Sequence, residues 1–402
     1  MNDPTKSRIE EPPEYWTIIW GQFRRNRIGL AALYTIVGIV AVALYTPLFA
    51  SRVPLFWSDA SGVSFPLFHA LLFNRNVYEN GVDIFFNLLL VLSPVYAASR
   101  AVLTRSSRGL PTPRRASRFS TFNSVWLAFV LATFVVLVSI DPRTAVPDYR
   151  ALAGTEGIAS IFPPVRIHYD DTLFGVTGPG ILHLLGQDGA GRDIFVRLLY
   201  GTRVSIAVGV IAVSIYITLG TTLGALAGYF GRRWDLIISR AIEIFLCFPS
   251  FFLILTFVGF LDQPSIAWVM LIIGFIGWTG PARLVRAEFL RLKNLDFVTA
   301  ARASGFTDQR IIFRHLMPNA LGPILVTATF GVASSVLVES SLSFLGFGDP
   351  TLPSWGRILS YGRDTSDEPM MLIAGAAIFV TVSAFNLAGE GLRDALDPRL
   401  RK

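Results

Sequence analysis

The sequence predicts an all-α protein that crosses a membrane about eight times. Hydrophobic residues make up 52% of its 402 residues and charged residues only 16%, and the mean hydropathy is +0.53. The apolar residues gather in long runs, each close to the roughly 20 residues that a helix needs to cross a bilayer. Arginines stand beside the ends of these runs. This composition excludes an ordinary soluble domain.

Each predicted span follows from one of these runs. A charged lead at 1–27 precedes the first run, which is too long for the apolar segment of a cleavable signal peptide, about 7–15 residues, so we expect an uncleaved span. Three spans form an N-terminal part at 28–140, an outer loop follows at 141–200, further spans form a core at 201–390, and 391–402 is the tail. The predicted spans are 28–50, 83–103, 122–140, 203–229, 241–261, 265–285, 319–345 and 370–390.

The distribution of basic residues predicts the orientation. If the N-terminus lies inside, five segments are on the inner side, and together they hold most of the 35 basic residues. These segments are the lead, the arginine-rich loop at 100–118, a short link after the fourth span, the segment 283–314 and the tail. The positive-inside rule therefore places both termini in the cytoplasm. In this arrangement the loop at 286–318 is cytoplasmic as well.

Residue usage argues against several functions. The chain's only lysines are Lys6, Lys293 and Lys402, and none follows a glycine, so it lacks the Gly-Lys-Ser/Thr end of a phosphate-binding loop. Any ATP that drives this protein is therefore hydrolysed by another subunit. One cysteine, Cys247, excludes an internal disulfide, and four scattered histidines argue against a metal site. The basic residues form no face with interleaved aromatic residues, so we expect no nucleic-acid partner.

The stretch DFVTAARASGFTDQRIIFRHLMPNALGP, residues 296–323, is a polar interruption between apolar runs. Apolar residues at helical spacing predict a short amphipathic helix at its start. Gly305 tolerates the positive φ that ends a helix, Asp308 can cap a second helix, and Pro318 is expected to end that helix. The alternative is a solvated turn, which explains the charges but not why apolar residues should face water.

The spacing of Ala300, Ala301, Gly305 and Pro318 resembles the cytoplasmic coupling loop, called the EAA loop, of permease subunits in bacterial ABC importers. Thr299 stands where that family usually has its glutamate, and His315 and Met317 replace its usual isoleucine and leucine. The ending His-x-x-Pro-Asn, formed by His315, Pro318 and Asn319, resembles the peptide-permease branch.

The resemblance extends from about residue 183 to the end of the chain. It includes HLLGQDGAGRD at 183–193, ESSLSFLGFG at 339–348 and AFNLAGEGLRDALDPRLR at 384–401. Residues 24–50 are similar to the first span of the same subfamily. The predicted spans 83–103 and 122–140 are extra relative to the usual six, and an even number of added spans preserves the orientation of the core.

The resemblance implies a type I ABC importer permease core that moves oligopeptides or dipeptides across the bacterial cytoplasmic membrane. It implies a second permease subunit, two ABC ATPase subunits that bind ATP and magnesium, an extracytoplasmic substrate-binding protein and surrounding membrane lipid as partners. The chain itself is expected to bind no cofactor or metal and to be no enzyme. The residues expected to couple it to the ATPases are Asp296, Thr299, Ala300, Ala301, Gly305, His315, Pro318 and Asn319.

Two acidic residues within or near spans are candidates for function, because ionisable groups are costly in a membrane. Glu243 is best explained by an ion pair with Arg240 on the same helix. Glu339 has no basic residue nearby in sequence and is the candidate for the translocation pathway. Separately, glycines recur every four residues at Gly220, Gly224 and Gly228, a pattern that allows two membrane helices to approach closely.

Three alternatives remain open at the level of sequence. An ion-coupled secondary transporter would show inverted repeats and paired acidic residues at the midplane, and neither is visible. A membrane-embedded enzyme would need a nucleophile with a base or a metal cluster within the spans. An ABC permease for a non-peptide solute such as nickel shares the features above, so the peptide substrate is implied by the resemblance alone.

Overall fold

The computed structural model describes residues 15–60, 62–107, 112–153, 155–172 and 183–397. Parts of the predicted lead, arginine-rich loop and tail, namely residues 1–14, 108–111 and 398–402, lie outside the described residues. In chain order the elements are α1 Tyr15–Phe23, α2 Arg27–Phe49, β1 Phe56–Asp59, β2 Gly62–Ser64, α3 Pro66–Phe73, α4 Gly81–Ser106, α5 Thr112–Ser139, α6 Tyr149–Leu152, β3 Ala159–Ile161, α7 Ile194–Phe230, α8 Arg232–Leu246, α9 Ser250–Gly259, α10 Ile266–Ile276, α11 Thr279–Leu292, α12 Asp296–Ala303, α13 Asp308–Ile311, a π-helical turn Ile312–Leu316, α14 Met317–Phe344, α15 Trp355–Thr365 and α16 Glu368–Leu396.

Within the described ranges, seven helical stretches are long and apolar enough to cross a membrane. They comprise α2, α4, α5, α7, α10 with α11, α13 with α14, and α16. The pair α8 and α9 passes the same test, but its two helices meet at 79°. The segment predicted as one span at 241–261 is therefore bent. Pro249, which has no amide hydrogen to donate to the preceding turn, stands at the break.

Helix α7 is the centre of the core. With 37 residues it is about 55 Å long. The glycine pattern packs it against α11: a Cβ added at Gly224 would lie 2.5 Å from the carbonyl oxygen of Ala282, and one at Gly228 would lie 2.6 Å from Cβ of Phe289. Only glycine permits this separation, so the prediction of close helix packing at these positions is confirmed.

A small unit covers the end of α7 that begins at Ile194. Its three-stranded antiparallel sheet has the order β2-β1-β3 and is built from the two segments that flank the α4–α5 hairpin. The ring of Trp57 in β1 packs edge-on against Tyr149 at 4.9 Å, and Tyr200 of α7 donates a hydrogen bond of 2.9 Å to the carbonyl of Ala50. These contacts fix the unit, here called the end unit, on α7.

The α4–α5 hairpin is the pair of spans that the resemblance leaves unaccounted for. Its side chains become buried only near the end unit: on α4 the buried positions run from Val82 to Leu90, and the remaining two thirds of the helix has none. Arg203 of α7, which is fully buried, donates to Asp83 at 2.9 Å and to the carbonyl of Ala43 at 2.7 Å. This ion pair joins the hairpin, α2 and α7.

Helix α15 lies across the same end of the core. Its first residue, Trp355, is buried and donates from Nε1 to the carbonyl of Leu198 at 3.2 Å. Gly356 lies against the backbone of Ser340 in α14, where an added Cβ would approach the Ser340 carbonyl oxygen to 2.4 Å. These contacts set α15 between the start of α7 and the end of α14.

Candidate functional site: the coupling segment

The predicted coupling loop lies at the opposite end of α7 from the end unit. Two short helices, α12 and α13, pack one face each against the ends of α7 and α11. Val298 and Ala301 of α12 join a buried cluster with Tyr229, Phe289 and other apolar side chains. The short amphipathic helix predicted at the start of the stretch is α12, which begins at Asp296, after α11 has ended at Leu292.

Gly305 makes the turn between α12 and α13. Its φ is +76°, a conformation that residues with a Cβ rarely adopt, and its amide donates to the carbonyl of Arg302 at 2.9 Å. The prediction that Asp308 caps the next helix is wrong: the Thr307 hydroxyl accepts from the Arg310 amide as the N-cap, and Asp308 is the first helical residue. The Asp308 carboxylate instead accepts from the Tyr229 hydroxyl.

Pro318 does not end the helix, contrary to the prediction. The chain continues from α13 through the π-helical turn into α14 without leaving the helical conformation. A proline ring clashes with the carbonyl four residues earlier, and the wider π-helical turn immediately before Pro318 provides the room. The exposed Asn319 side chain donates to the carbonyl of His315 at 2.6 Å and so supplies a donor for this irregular turn.

The His315 ring closes the segment on itself. It stacks on Phe306, with ring centroids 5.7 Å apart and an interplanar angle of 18°. The Arg310 guanidinium lies over the Phe306 ring at 4.1 Å. The three residues of the His-x-x-Pro-Asn ending therefore shape one turn. His315 stacks on Phe306, Pro318 directly follows the π-helical turn, and the Asn319 side chain donates to the carbonyl of His315 in that turn.

Three polar contacts fasten the segment to the end of α7. Tyr229 donates its hydroxyl hydrogen to Asp308, and the Arg302 guanidinium lies 5.4 Å from the centre of the Tyr229 ring. Lys293 donates from Nζ to the carbonyl of Gly228 at 2.8 Å. Direct polar contacts therefore join the segment to α7 in addition to the apolar cluster.

The other face of the segment is exposed and mixes charged side chains, such as Arg310 and Arg314, with small and apolar ones. Asp296, Thr299, Ala300 and Gly305 are exposed, whereas Ala301 is buried and belongs to the inward face. Large apolar side chains flank the small ones: Phe297 is 40% exposed and Phe313 is 70% exposed. Exposed aromatic residues beside a patch of small residues are typical of a surface that binds another protein.

The two acidic candidates have different environments. Glu243 accepts from Arg240 at 2.5 Å on the exposed surface of α8, as predicted. Glu339 is 1% exposed, and its Oε1 accepts from the Ser343 hydroxyl at 2.7 Å. Its side chain is packed inside this subunit close to α15, and its place in the translocation pathway stays a prediction.

Sequence reasoning missed the partners of the segment. Tyr229 and Phe306 were not singled out, although Tyr229 follows the last glycine of the packing pattern and Phe306 follows the turn glycine. Their roles depend on side chains that lie 79 and nine residues away in the chain, at Asp308 and His315. Spacing within the motif does not reveal such contacts.

Comparison with known families agrees with this architecture. The family model described as "Binding-protein-dependent transport system inner membrane component" matches residues 220–402. A second model, the N-terminal TM domain of oligopeptide transport permease C, matches residues 14–59. Residues 60–219, which include the hairpin and most of the end unit, lie between the two matches.

Individual relatives match somewhat more than half of the chain. A dipeptide transport system permease protein of Alkalihalophilus pseudofirmus is 42% identical over 227 residues, 56% of this chain and 74% of the relative. A glutathione transport system permease protein of Pectobacterium atrosepticum is 42% identical over 227 residues, 56% of this chain and 75% of the relative. An oligopeptide transport system permease protein of Bacillus subtilis is 37% identical over 252 residues, 61% of this chain and 82% of the relative.

Among solved structures, a chain of the inward-facing MetNI methionine ABC transporter is similar, with 18% identity and a TM-score of 0.42 over 50% of this chain and 97% of that chain. The relatives confirm the family that the coupling-loop motif predicted. The chain belongs to the family of inner-membrane permease components of binding-protein-dependent, ABC-type transport systems.

Proposed function

We propose that this permease subunit imports peptides and that the coupling segment docks on a partner ATPase. A second permease completes the membrane part, two ATPase subunits bind and hydrolyse ATP with magnesium, and an extracytoplasmic binding protein delivers the solute. Both termini and the coupling segment face the cytoplasm, and the end unit faces outward. ATP binding biases the complex between two states, and the free energy comes from the partner ATPases.

The observation that carries this proposal is the two-sided coupling segment. Its inner face is bonded to α7 through Tyr229 and Lys293, and its outer face presents Phe297 and Phe313 beside small residues. A loop that only connected two spans would need neither the exposed aromatic residues nor the bonds to α7. A docking surface needs both, because a partner's movement has to be received and passed on.

The peptide class rests on the relatives. The similar permeases are named for dipeptide, oligopeptide and glutathione transport, and all three names denote small peptides. A permease for a non-peptide solute such as nickel is the second candidate, and competition between unlabelled peptide and labelled solute during uptake separates the two.

Gly305 gives the direct test of coupling. Its φ of +76° strains any β-branched residue, so we expect Gly305→Val to abolish ATP-dependent uptake while the protein stays in the membrane. Asn adopts positive φ more readily than other residues, so Gly305→Asn is expected to keep most of the uptake. Uptake is measured in proteoliposomes that contain the whole importer, with the amount of inserted permease quantified in parallel.

Normal uptake by Gly305→Val would contradict the coupling role. Mild solubilisation and capture of the tagged chain supplies an independent check: the proposal expects a second permease and ATPase subunits to co-purify. Capture of the chain alone, with uptake that survives depletion of ATP, would instead support an ion-coupled secondary transporter.

A further inference from the structure

Three arginines surround one tyrosine at the end of α7 that carries the end unit. The guanidinium carbons of Arg192, Arg197 and Arg357 lie 4.5, 5.6 and 5.1 Å from the centre of the Tyr361 ring. Arg197 lies in the first turn of α7 and Arg192 just before that helix, and Arg357 and Tyr361 come from α15. This arginine cluster is about 50 Å from Tyr229 and the coupling segment, given the rise of an α-helix.

The cluster has an excess of positive charge. Asp188 accepts from Arg192 at 2.8 Å and lies 3.8 Å from Arg197. Among the residues that the structure describes, no carboxylate lies within ion-pair distance of Arg357. The stretch 173–182, LFGVTGPGIL, has no ionisable side chain in its sequence. Asp188 thus serves two of the three guanidinium groups, and Arg357 has no carboxylate among the described residues.

Burial makes this excess costly. The Arg197 side chain is only 5% exposed, and its Nε has no hydrogen-bond partner; Nε of Arg357 likewise has none. Other atoms of both groups do have partners: Arg197 donates to the Tyr169 carbonyl at 3.5 Å and its Nε lies 3.8 Å from Asp188, and Arg357 donates to the Tyr361 hydroxyl at 3.4 Å. The two Nε–H groups remain as donors for an anion, which would offset the cost of burying them. Burial alone would raise the pKa of the Tyr361 hydroxyl, but Arg192 and Arg357 outweigh it, and the pKa lies below its ordinary value.

The cluster is reachable from outside. The Arg192 side chain is 16% exposed, Arg357 and Tyr361 are half-buried, and the neighbouring Gly189 and Thr365 are exposed. Arg197 is the buried member of the cluster, and the other two guanidinium groups are partly exposed. The donors therefore suit an anionic group that can accept several N–H bonds.

We propose that the arginine cluster binds the C-terminal carboxylate of the incoming peptide at the outer entrance of the permease. This inference rests on the proposed peptide import. A carboxylate matches guanidinium geometry and accepts two parallel hydrogen bonds, and the Tyr361 ring offers an apolar wall for the adjoining part of the peptide. The site would select peptides that have a free C-terminus after the binding protein has released them.

Arg357 is the residue to change, because it is half-buried and holds no carboxylate of its own. The experiment measures import of one peptide and of its C-terminal amide into proteoliposomes containing the whole importer and its binding protein. We expect Arg357→Gln to reduce import of the free acid by about tenfold at subsaturating peptide, as expected for the loss of one charge-assisted hydrogen bond. Import of the amide should change less than twofold.

The comparison between variants removes the binding protein's own preference, because the same binding protein serves each variant. Arg363→Gln is the matched control: Arg363 lies on the same helix but pairs with Asp364, and both peptides should be imported at the normal rate. Equal loss of acid and amide in Arg357→Gln, or no loss of either, would overturn the carboxylate site while leaving peptide import established. Import of neither peptide by the unaltered protein would overturn the proposed substrate and this site with it.

Discussion

Arg203 shows how one residue decides the arrangement of several helices. Its side chain is fully buried among spans, and the hydrogen-bond acceptors of its guanidinium are on other helices: Asp83 of α4, and the carbonyls of Ala43 and Leu44 in α2. The rings of Phe86 and Tyr200 flank the guanidinium at 5.6 and 5.5 Å. A charge buried in this way is tolerated because every side of it is compensated.

Removal of one partner should therefore be more damaging than removal of both. We expect Asp83→Leu to leave Arg203 as an unpaired buried cation and to lower the free energy of unfolding by about 3 to 5 kcal/mol. The double variant Asp83→Leu with Arg203→Met should recover most of that loss. Thermal unfolding in detergent checks this, with Arg240→Gln, which removes an exposed ion pair, as the control. A double variant as unstable as the single one would contradict the argument.

Residue identity predicted some of these roles and not others. The spacing of Gly220, Gly224 and Gly228 was sufficient to predict close packing, because a repeat of four places the glycines on one face of a helix. Arg203 and Asp83 were not predicted to pair, since they are 120 residues apart and no local pattern connects them. Glu339 was singled out for its charge, yet its environment depends on serines and on α15, which packs next to it.

At the scale of elements, the coupling segment is two short helices joined by a turn that aromatic stacking stabilises. Gly305 reverses the chain, and the stack of His315 on Phe306 joins the two sides of the reversal. The sequence predicted the two helices and the turn, because glycine and the helical spacing of apolar residues are local signals, although it assigned the cap of the second helix to Asp308 instead of Thr307. It did not predict the π-helical turn or the continuation through Pro318, which depend on how α14 is anchored in the core.

The stack itself makes a testable prediction. His315→Ala removes a contact worth about 0.5–1.5 kcal/mol and frees the turn, so we expect ATP-dependent uptake to fall about fivefold. His315→Phe preserves a flat ring at this position and should retain most of the uptake. Uptake and ATP hydrolysis are measured together, because a loosened coupling segment should lower transport more than hydrolysis. Equal uptake in the Ala and Phe variants would show that stacking is unimportant.

At the scale of the whole molecule, the α4–α5 hairpin behaves as an insertion into a permease core. The chain leaves and re-enters the end unit at nearly one place: the Arg75 amide donates to the carbonyl of Pro142 at 2.9 Å, and its guanidinium donates to the carbonyl of Ile140. The family matches stop before the hairpin and resume after it. The hydropathy of the sequence predicted the two extra spans. It did not predict the sheet of the end unit, because strands of only three or four residues leave no clear pattern.

An insertion of this kind should be removable. We expect a variant in which a flexible linker of about eight residues replaces Gly81–Ser139, combined with Arg203→Met, to insert into the membrane and to keep ATP-dependent uptake. The added substitution is needed because Arg203 would otherwise lose Asp83. Membrane insertion and uptake in proteoliposomes are the measurements. Loss of uptake in a correctly inserted variant would show that the hairpin takes part in transport.

The uninterrupted length of α7 has a mechanical consequence. A rigid rod of about 55 Å converts a small rotation at one end into a large excursion at the other, and a tilt of about 10° moves the far end by roughly 10 Å. Lys293 and Tyr229 attach the coupling segment to one end of α7. Arg203 and Tyr200 attach the hairpin and the end unit near its other end, so these two parts move with that end of the helix. A tilt of α7 about the coupling segment would therefore move the hairpin and the end unit much further than it moves the coupling segment.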